Sequence, residues 1–213
     1  VNRWDLEYQQ LLASDFSVGK RFKKVALKNY IKNCKRGKSI TKNRELLSEK
    51  GVRFIHTTDV KKLYITNECK QYINDSKNIF KNAVLKKNDV LIGRVGQGCM
   101  GKIGIVSRKY PKLFFSDCLF AIESVNINPY YLALFLASDF GQTQLRGMAK
   151  GSCSKYITRE DLFCLCVLVP DNLTQDYFGN KYKMLLSRPG RGNKEALFDN
   201  LLVELNDVIK QKG

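Results

Sequence analysis

Histidine and tryptophan are nearly missing from this chain of 213 residues, where each occurs once, as His56 and Trp4. One histidine cannot furnish a histidine-rich metal site, and a catalytic triad would have to be built on His56 alone. His56 lies in the alternating run Arg53-Phe-Ile-His-Thr57, where a groove-lining or surface polar role is the simpler reading. Cysteine is present seven times, but no two cysteines have CxxC spacing, and an odd number fits no disulfide framework. Cys164 and Cys166 stand in the apolar run Leu162–Pro170 and read as small core residues. Free thiols in this number point to a reducing cytoplasm. No apolar run reaches the length of a transmembrane helix, and no secretory leader is expected at Val1.

Acidic residues are also scarce. Twenty Asp and Glu face 37 Lys and Arg, a net charge of +17. A surplus of that size repels itself in the folded state and usually serves a polyanion. Twelve Phe, ten Tyr and 44% hydrophobic content exclude a disordered basic tail. No basic amphipathic helix marks a membrane-surface protein.

The pattern along the chain predicts an α/β fold in an α+β layout, a twisted, mainly antiparallel sheet with flanking helices. Residues 1–48 form a lead-in segment containing the basic patch Gly19–Lys38. Val52–His56 reads as a strand running into a turn at Thr57–Asp59. Val90–Ile92, Ile103–Val106 and Leu119–Ile122 are short β-rich runs separated by Gly or Ser-Asp. Asn128 to Arg146 reads as one helix, with Asn128 as N-cap, Pro129 at its first position, and Leu132, Phe135, Leu136 and Phe140 on one face. Leu165–Val169 is a further strand, ended by Pro170. After the break at Arg188–Gly192, Lys194–Lys210 is an amphipathic helix. Its stripe Leu197, Leu201, Leu205 and Val208 either packs on the parent domain or docks a partner; the expectation is docking. The division is thus 1–187 as one domain and 188–213 as linker and docking helix.

Few motifs can carry chemistry. Asn128-Pro-Tyr-Tyr131 superficially resembles the Asn-Pro-Pro-Tyr loop of adenine methyltransferases, but it lacks the second proline and opens a helix. Gly93–Gly101 is glycine-rich without the Gly-Lys-Ser/Thr ending of a phosphate-binding P-loop. Asp59, Glu68 and Lys70 have the residue types of a metal-dependent nuclease, which is kept as an alternative. No catalytic residue and no metal ligand is expected.

Read as a nucleic-acid surface, three loops are more productive. In the first, Arg94 can donate a bidentate pair to guanine, Gln97 can pair with adenine, and Lys102 follows. In the second, Lys150, Ser152, Ser154 and Lys155 can contact phosphate or base edges, and Tyr156 can pack on sugar. Thr158, followed by Glu160 and Asp161, starts a helix there. The third carries Arg53, Thr57, Thr58, Lys61 and Lys62. A non-specific nucleic-acid-binding module remains a second alternative.

The ordered set Phe54-IHTTDV, Leu85-KKNDVLIGRVGQGCMGKIGIV, Tyr130-YLALFLASDFGQTQL and Gly151-SCSKYITREDLFCLCVLVP, with Arg3-WDLEY ahead of it, resembles the target-recognition domain of the specificity subunit in type I restriction–modification systems. It also resembles the equivalent C-terminal domain of fused restriction–modification enzymes. The match spans roughly residues 3–170. The resemblance implies sequence-specific binding of double-stranded DNA at one half of a bipartite site. It implies a modification subunit that methylates adenine N6 with S-adenosylmethionine, and a restriction subunit that cuts with ATP and Mg²⁺. This chain would need no cofactor of its own, and its terminal helix could also mediate self-association. The sequence departs from the pattern at His56, where a basic residue is usual, and at Asn88, where glycine is usual. It departs again in the run after Pro170. One recognition domain is present instead of two.

Overall fold

The structure is a computed structural model, described for residues 22–41, 44–68, 71–188 and 194–210. Its centre is an antiparallel sheet in the order β2 (Ile31–Arg36), β9 (Leu119–Ser124), β6 (Val90–Gly93), β7 (Ile103–Ile105). Val90 pairs with Ile105 on one side and Ile122 on the other. Side chains alternate across a strand, and here both faces are covered. Val90, Ile92, Phe120 and Ile122 enter a core shared with the helices. Leu91, Leu119 and Ala121 enter a second core, closed by a smaller sheet. Two buried faces explain why these strands read as continuous apolar runs.

The smaller sheet has the order β3 (Leu47–Ser48), β5 (Tyr72–Ile73), β4 (Val52–Ile55), β8 (Phe114–Phe115). Its β4–β8 pair is parallel and all the others are antiparallel. A two-stranded ribbon joins β1 (Lys23–Ala26) to β10 (Cys166–Val169). The basic patch of the lead-in segment therefore holds two strands, β1 and β2. Trp4–Tyr8 lies outside the described residues.

The helix expected over 128–146 is two helices, α1 (Pro129–Ala137) and α2 (Asp139–Met148). Ser138 separates them. It is extended (ψ 167°), its hydroxyl donates to the Phe135 carbonyl at 2.6 Å, and the same oxygen accepts from Gly141 N. Asn128 caps α1 by accepting from the Tyr130 and Tyr131 amides. Residues 130–136 are all buried, so α1 is a central helix without a solvent face. Helix α3 (Arg159–Cys164) begins in a capping box between Thr158 and Asp161. Cys164 is exposed at its end and Cys166 is half-buried, contrary to their reading as core residues. The run after Pro170 is a helix, α4 (Asn172–Ser187), capped by Asp171.

Helix α5 spans Lys194–Lys210 as expected, but its apolar stripe is not free. Phe198, Leu201, Leu205 and Ile209 are buried in the helix-side core, and Leu197 and Val208 are half-buried. Docking through Leu197, Leu201 and Leu205 is therefore corrected: α5 covers its own domain. The large apolar side chains left open include Val203 on α5, 57% exposed, and Leu173, Tyr177 and Met184 on α4, which are 84%, 49% and 63% exposed.

Candidate nucleic-acid interface

Two of the three predicted loops are one structural unit. Val95 and Lys150 both form β-bridges with Tyr156. Gly96 N donates to the Lys155 carbonyl (3.1 Å), and Ile157 N donates to the Arg94 carbonyl (2.9 Å). The glycine loop turns tightly because its glycines permit it. A Cβ on Gly93 would sit 1.9 Å from the Cys99 carbonyl oxygen, and Gly96 has φ +101°. The third loop joins more loosely, with Lys102 Nζ 3.5 Å from the Thr57 carbonyl.

The structure sorts the predicted residues into two groups. Gln97, Ser152, Ser154 and Lys155 are exposed, as is Thr58, and Tyr156 is 37% exposed. Their side chains project from the paired loops and the adjoining turn. Thr57 and Lys61 are half-buried in the same turn.

The second group is tied to the fold. Arg53 donates Nη2 to the Thr66 and Glu68 carbonyls, bracing the segment that follows the turn. Lys62 is ion-paired with Asp199 of α5. Lys150 Nζ is 2.7 Å from Asp161 Oδ1. Arg94 donates Nη1 to the Asp117 carbonyl at 3.2 Å, lies over the Phe120 ring, and has a buried Nε. Burial and the nearby Arg36 charge lower its affinity for the proton below the ordinary arginine value, with Asp117 opposing. A bidentate grip on guanine would require Arg94 to release Asp117. In this arrangement Arg53, Lys62 and Arg94 brace the fold, and each would have to exchange these partners to contact a base or phosphate. Arg36, half exposed and paired with Asp117 Oδ2 at 3.4 Å, is a cation at the base of the glycine loop that sequence reasoning left in the basic patch.

The aspartates of the motifs act on the backbone. Asp59 is 1% exposed and accepts from His56 N at 2.8 Å. Asp89, equally buried, accepts from Lys86 N at 2.9 Å and from Lys35 Nζ at 3.1 Å. Asp161 accepts from Thr158 N at 2.8 Å. Each caps the amide three residues earlier. Asn88, at the position where glycine is usual, has φ +72°, a conformation that asparagine tolerates better than most residues. His56 bonds Gln71 through Nε2 (2.6 Å) and sets its ring edge-on to Phe54.

Among the described residues the nuclease arrangement is not assembled. Asp59 is committed to its own turn, and Lys70 lies outside the described residues. Among the described residues no group of three His, Cys, Asp or Glu could hold a metal ion. No described helix is long and apolar enough to cross a membrane.

Neither a protein-family model nor a curated protein sequence matches the chain. Solved structures do. The S subunit of a type I restriction–modification system from M. genitalium aligns at 13% identity, TM-score 0.55, over 77% of this chain and 38% of its own. The HsdS subunit from Thermoanaerobacter tengcongensis aligns at 15%, TM-score 0.53, over 98% and 51%. The type IIG restriction endonuclease BpuSI aligns at 11%, TM-score 0.57, over 96% and 33%. The chain thus spans between a third and a half of the proteins it matches. In fold, it resembles the target-recognition domain that type I specificity subunits carry.

Proposed function

We propose that this chain is a DNA-recognition module. It reads one half of a bipartite duplex site and directs an adenine-N6 methyltransferase and a restriction subunit to it. The observation that carries this reading is the pairing of the glycine loop with the Lys150–Tyr156 loop. The pairing makes one ledge on which Gln97, Ser152, Ser154 and Lys155 stand exposed. Amide and hydroxyl groups are the types that read base edges, and a lysine beside them can hold phosphate. A ledge pinned to a doubly covered sheet is held more precisely than a free loop. The likeness in fold to specificity subunits supports the same role.

The chain itself performs no chemistry on this reading. S-adenosylmethionine, ATP and Mg²⁺ are used by its partners, in the cytoplasm. Partner contact cannot use Leu201 and Leu205, which are inside the domain. Selection from a random duplex library near physiological salt tests the proposal. An enriched motif of about three to five base pairs is expected from the few exposed polar side chains that can pair with base edges. Salt-sensitive binding with no enriched sequence would instead identify a non-specific module.

A further inference from the structure

The predicted loops carry less free positive charge than their composition promised, because Arg53, Lys62, Arg94 and Lys150 all have partners within the fold. Uncommitted charge collects elsewhere. At the far end of the β6–β7 hairpin, a cleft of about 1090 Å³ opens between Asn126–Tyr130 and α4. It shares Ser107, Arg108, Leu186 and Ser187 with a second cleft of about 650 Å³ that runs to Lys61 and Thr66. The two form one groove, lined by Lys61, Lys87, Arg108, Lys183, Arg188 and Lys194. Its carboxylates are Asp176, which accepts from Asn128 Nδ2 at 3.0 Å, and Glu68.

The groove cations are not paired with its acids, and the Arg108 charge acts on Lys194. Among the described residues none of the six forms an ion pair, whereas Lys32, Lys35, Lys62, Lys86, Lys150 and Lys181 all do. Lys183 lies 4.9 Å over the Tyr130 ring. Lys194 lies 5.4 Å over the Tyr64 ring and donates to the Leu186 carbonyl at 3.1 Å. Burial and the Arg108 charge both act to remove the Lys194 proton. Six cations against two carboxylates, with Lys183 and Lys194 seated on aromatic rings, make a site for a polyanion.

We infer that this groove holds the phosphate backbone of duplex DNA flanking the bases read by the ledge. The inference rests on the DNA-recognition reading. The track is continuous, because Lys61 belongs both to the Thr57–Lys62 turn and to the groove. A hairpin arm of three or four residues separates ledge from groove by about 10 Å. That is about three phosphates along one strand.

The test combines Arg108→Gln, Lys183→Gln and Arg188→Gln, with Arg108→Gln alone as a milder variant and thermal melts to confirm folding. Binding is measured against salt for two duplexes, the selected core alone and the core with about ten base pairs of flank on each side, roughly one helical turn. The wild type is expected to gain affinity from the flanks. The triple variant should lose that gain, and its salt slope should fall by about two to three, with the single change lowering it by about one. The selected motif should not change. A triple variant that keeps the wild-type slope and flank gain overturns the groove and leaves the recognition reading intact. A wild-type chain that binds no duplex even at low salt overturns both.

Discussion

Asp161 is the residue on which the geometry of the ledge most depends. Its Oδ2 accepts from Thr158 N and Thr158 Oγ1, at 2.8 and 2.9 Å, and its Oδ1 accepts from Lys150 Nζ at 2.7 Å. Lys150 and Thr158 stand at the two ends of the loop that bears Ser152, Ser154 and Lys155. One carboxylate therefore clamps both ends and completes the capping box of α3. In Asp161→Ala the N3 half of the capping box is lost, and with it the bonds from Thr158, at a cost of about 0.5–1.5 kcal/mol. The half-exposed ion pair adds up to about 1 kcal/mol. A total near 2 kcal/mol lowers the melting temperature by about 4–8 °C in a domain of this size. Asp161→Asn keeps an acceptor for Thr158 and removes only the charge, so it should fall between Ala and wild type. Burial raises the pKa of this carboxyl, but the bonds from Lys150 and Thr158 outweigh it and hold the pKa below the ordinary carboxylate value. A carboxyl depressed in the native state adds stability that is present above its unfolded value, about 3.9, and is lost as pH falls through the folded one. The acid side of the stability curve should therefore be flatter in Asp161→Asn. Differential scanning calorimetry from pH 3 to 7 measures both effects. An Ala variant melting within about 1 °C of wild type at every pH, well inside the shift expected, would refute the clamp.

Two further substitutions separate reading from bracing. Gln97→Ala should leave the melting temperature unchanged and relax the selected motif at one base position, as measured by repeating the duplex selection. Arg94→Ala should instead cost about 1–2 kcal/mol of stability through the lost carbonyl bond and ring packing; a specificity change without a stability change would return Arg94 to the base-reading set. Asp89→Asn addresses a titration of the opposite sign. Burial, against the Lys86 amide and Lys35, raises the Asp89 carboxyl above its ordinary value. The native state then binds the proton more tightly, so stability declines as pH rises from about 3.9 through that raised value. Urea unfolding from pH 3 to 7 should show this decline shrink in Asp89→Asn, and an unchanged slope would count against it.

Much of the frame was legible because it is local. Asn128-Pro129 and Thr158-x-x-Asp161 are cap signals whose partners lie within three residues, and both helices start where those signals stand. The helix Lys194–Lys210 carries its own period. What was not legible depends on distance in sequence. Nothing in Leu201 or Leu205 says whether the core they meet is their own; that is settled by residues such as Tyr64, which stacks on Phe198. The strands β1 and β2 hide in a lysine-rich run, since one edge face is solvated and the pairing partners, β10 and β9, lie far along the chain. The commitment of Arg94 to Asp117 and of Lys62 to Asp199 likewise follows from contacts 23 and 137 residues away.

The same division explains which part of the resemblance carries information about function. His56 and Asp59, Lys86 and Asp89, and Thr158 and Asp161 repeat one device, an aspartate that caps the amide three residues before it. In the first two cases the aspartate amide also returns a bond to the earlier carbonyl. Each device closes a tight turn where a loop, strand or helix begins, and each aspartate is therefore demanded by backbone geometry whatever sequence is bound. Asn88, in its left-handed conformation, serves the same turn as Asp89. The motif residues thus state where the loops start and how they are held. The residues that could distinguish one base from another, Gln97, Ser152, Ser154 and Lys155, stand between the capped turns, where the fold places no demand on their identity beyond exposure. Exchanging those four side chains should therefore alter the bound sequence with little change in stability, whereas exchanging any of the three aspartates should weaken binding to every sequence alike.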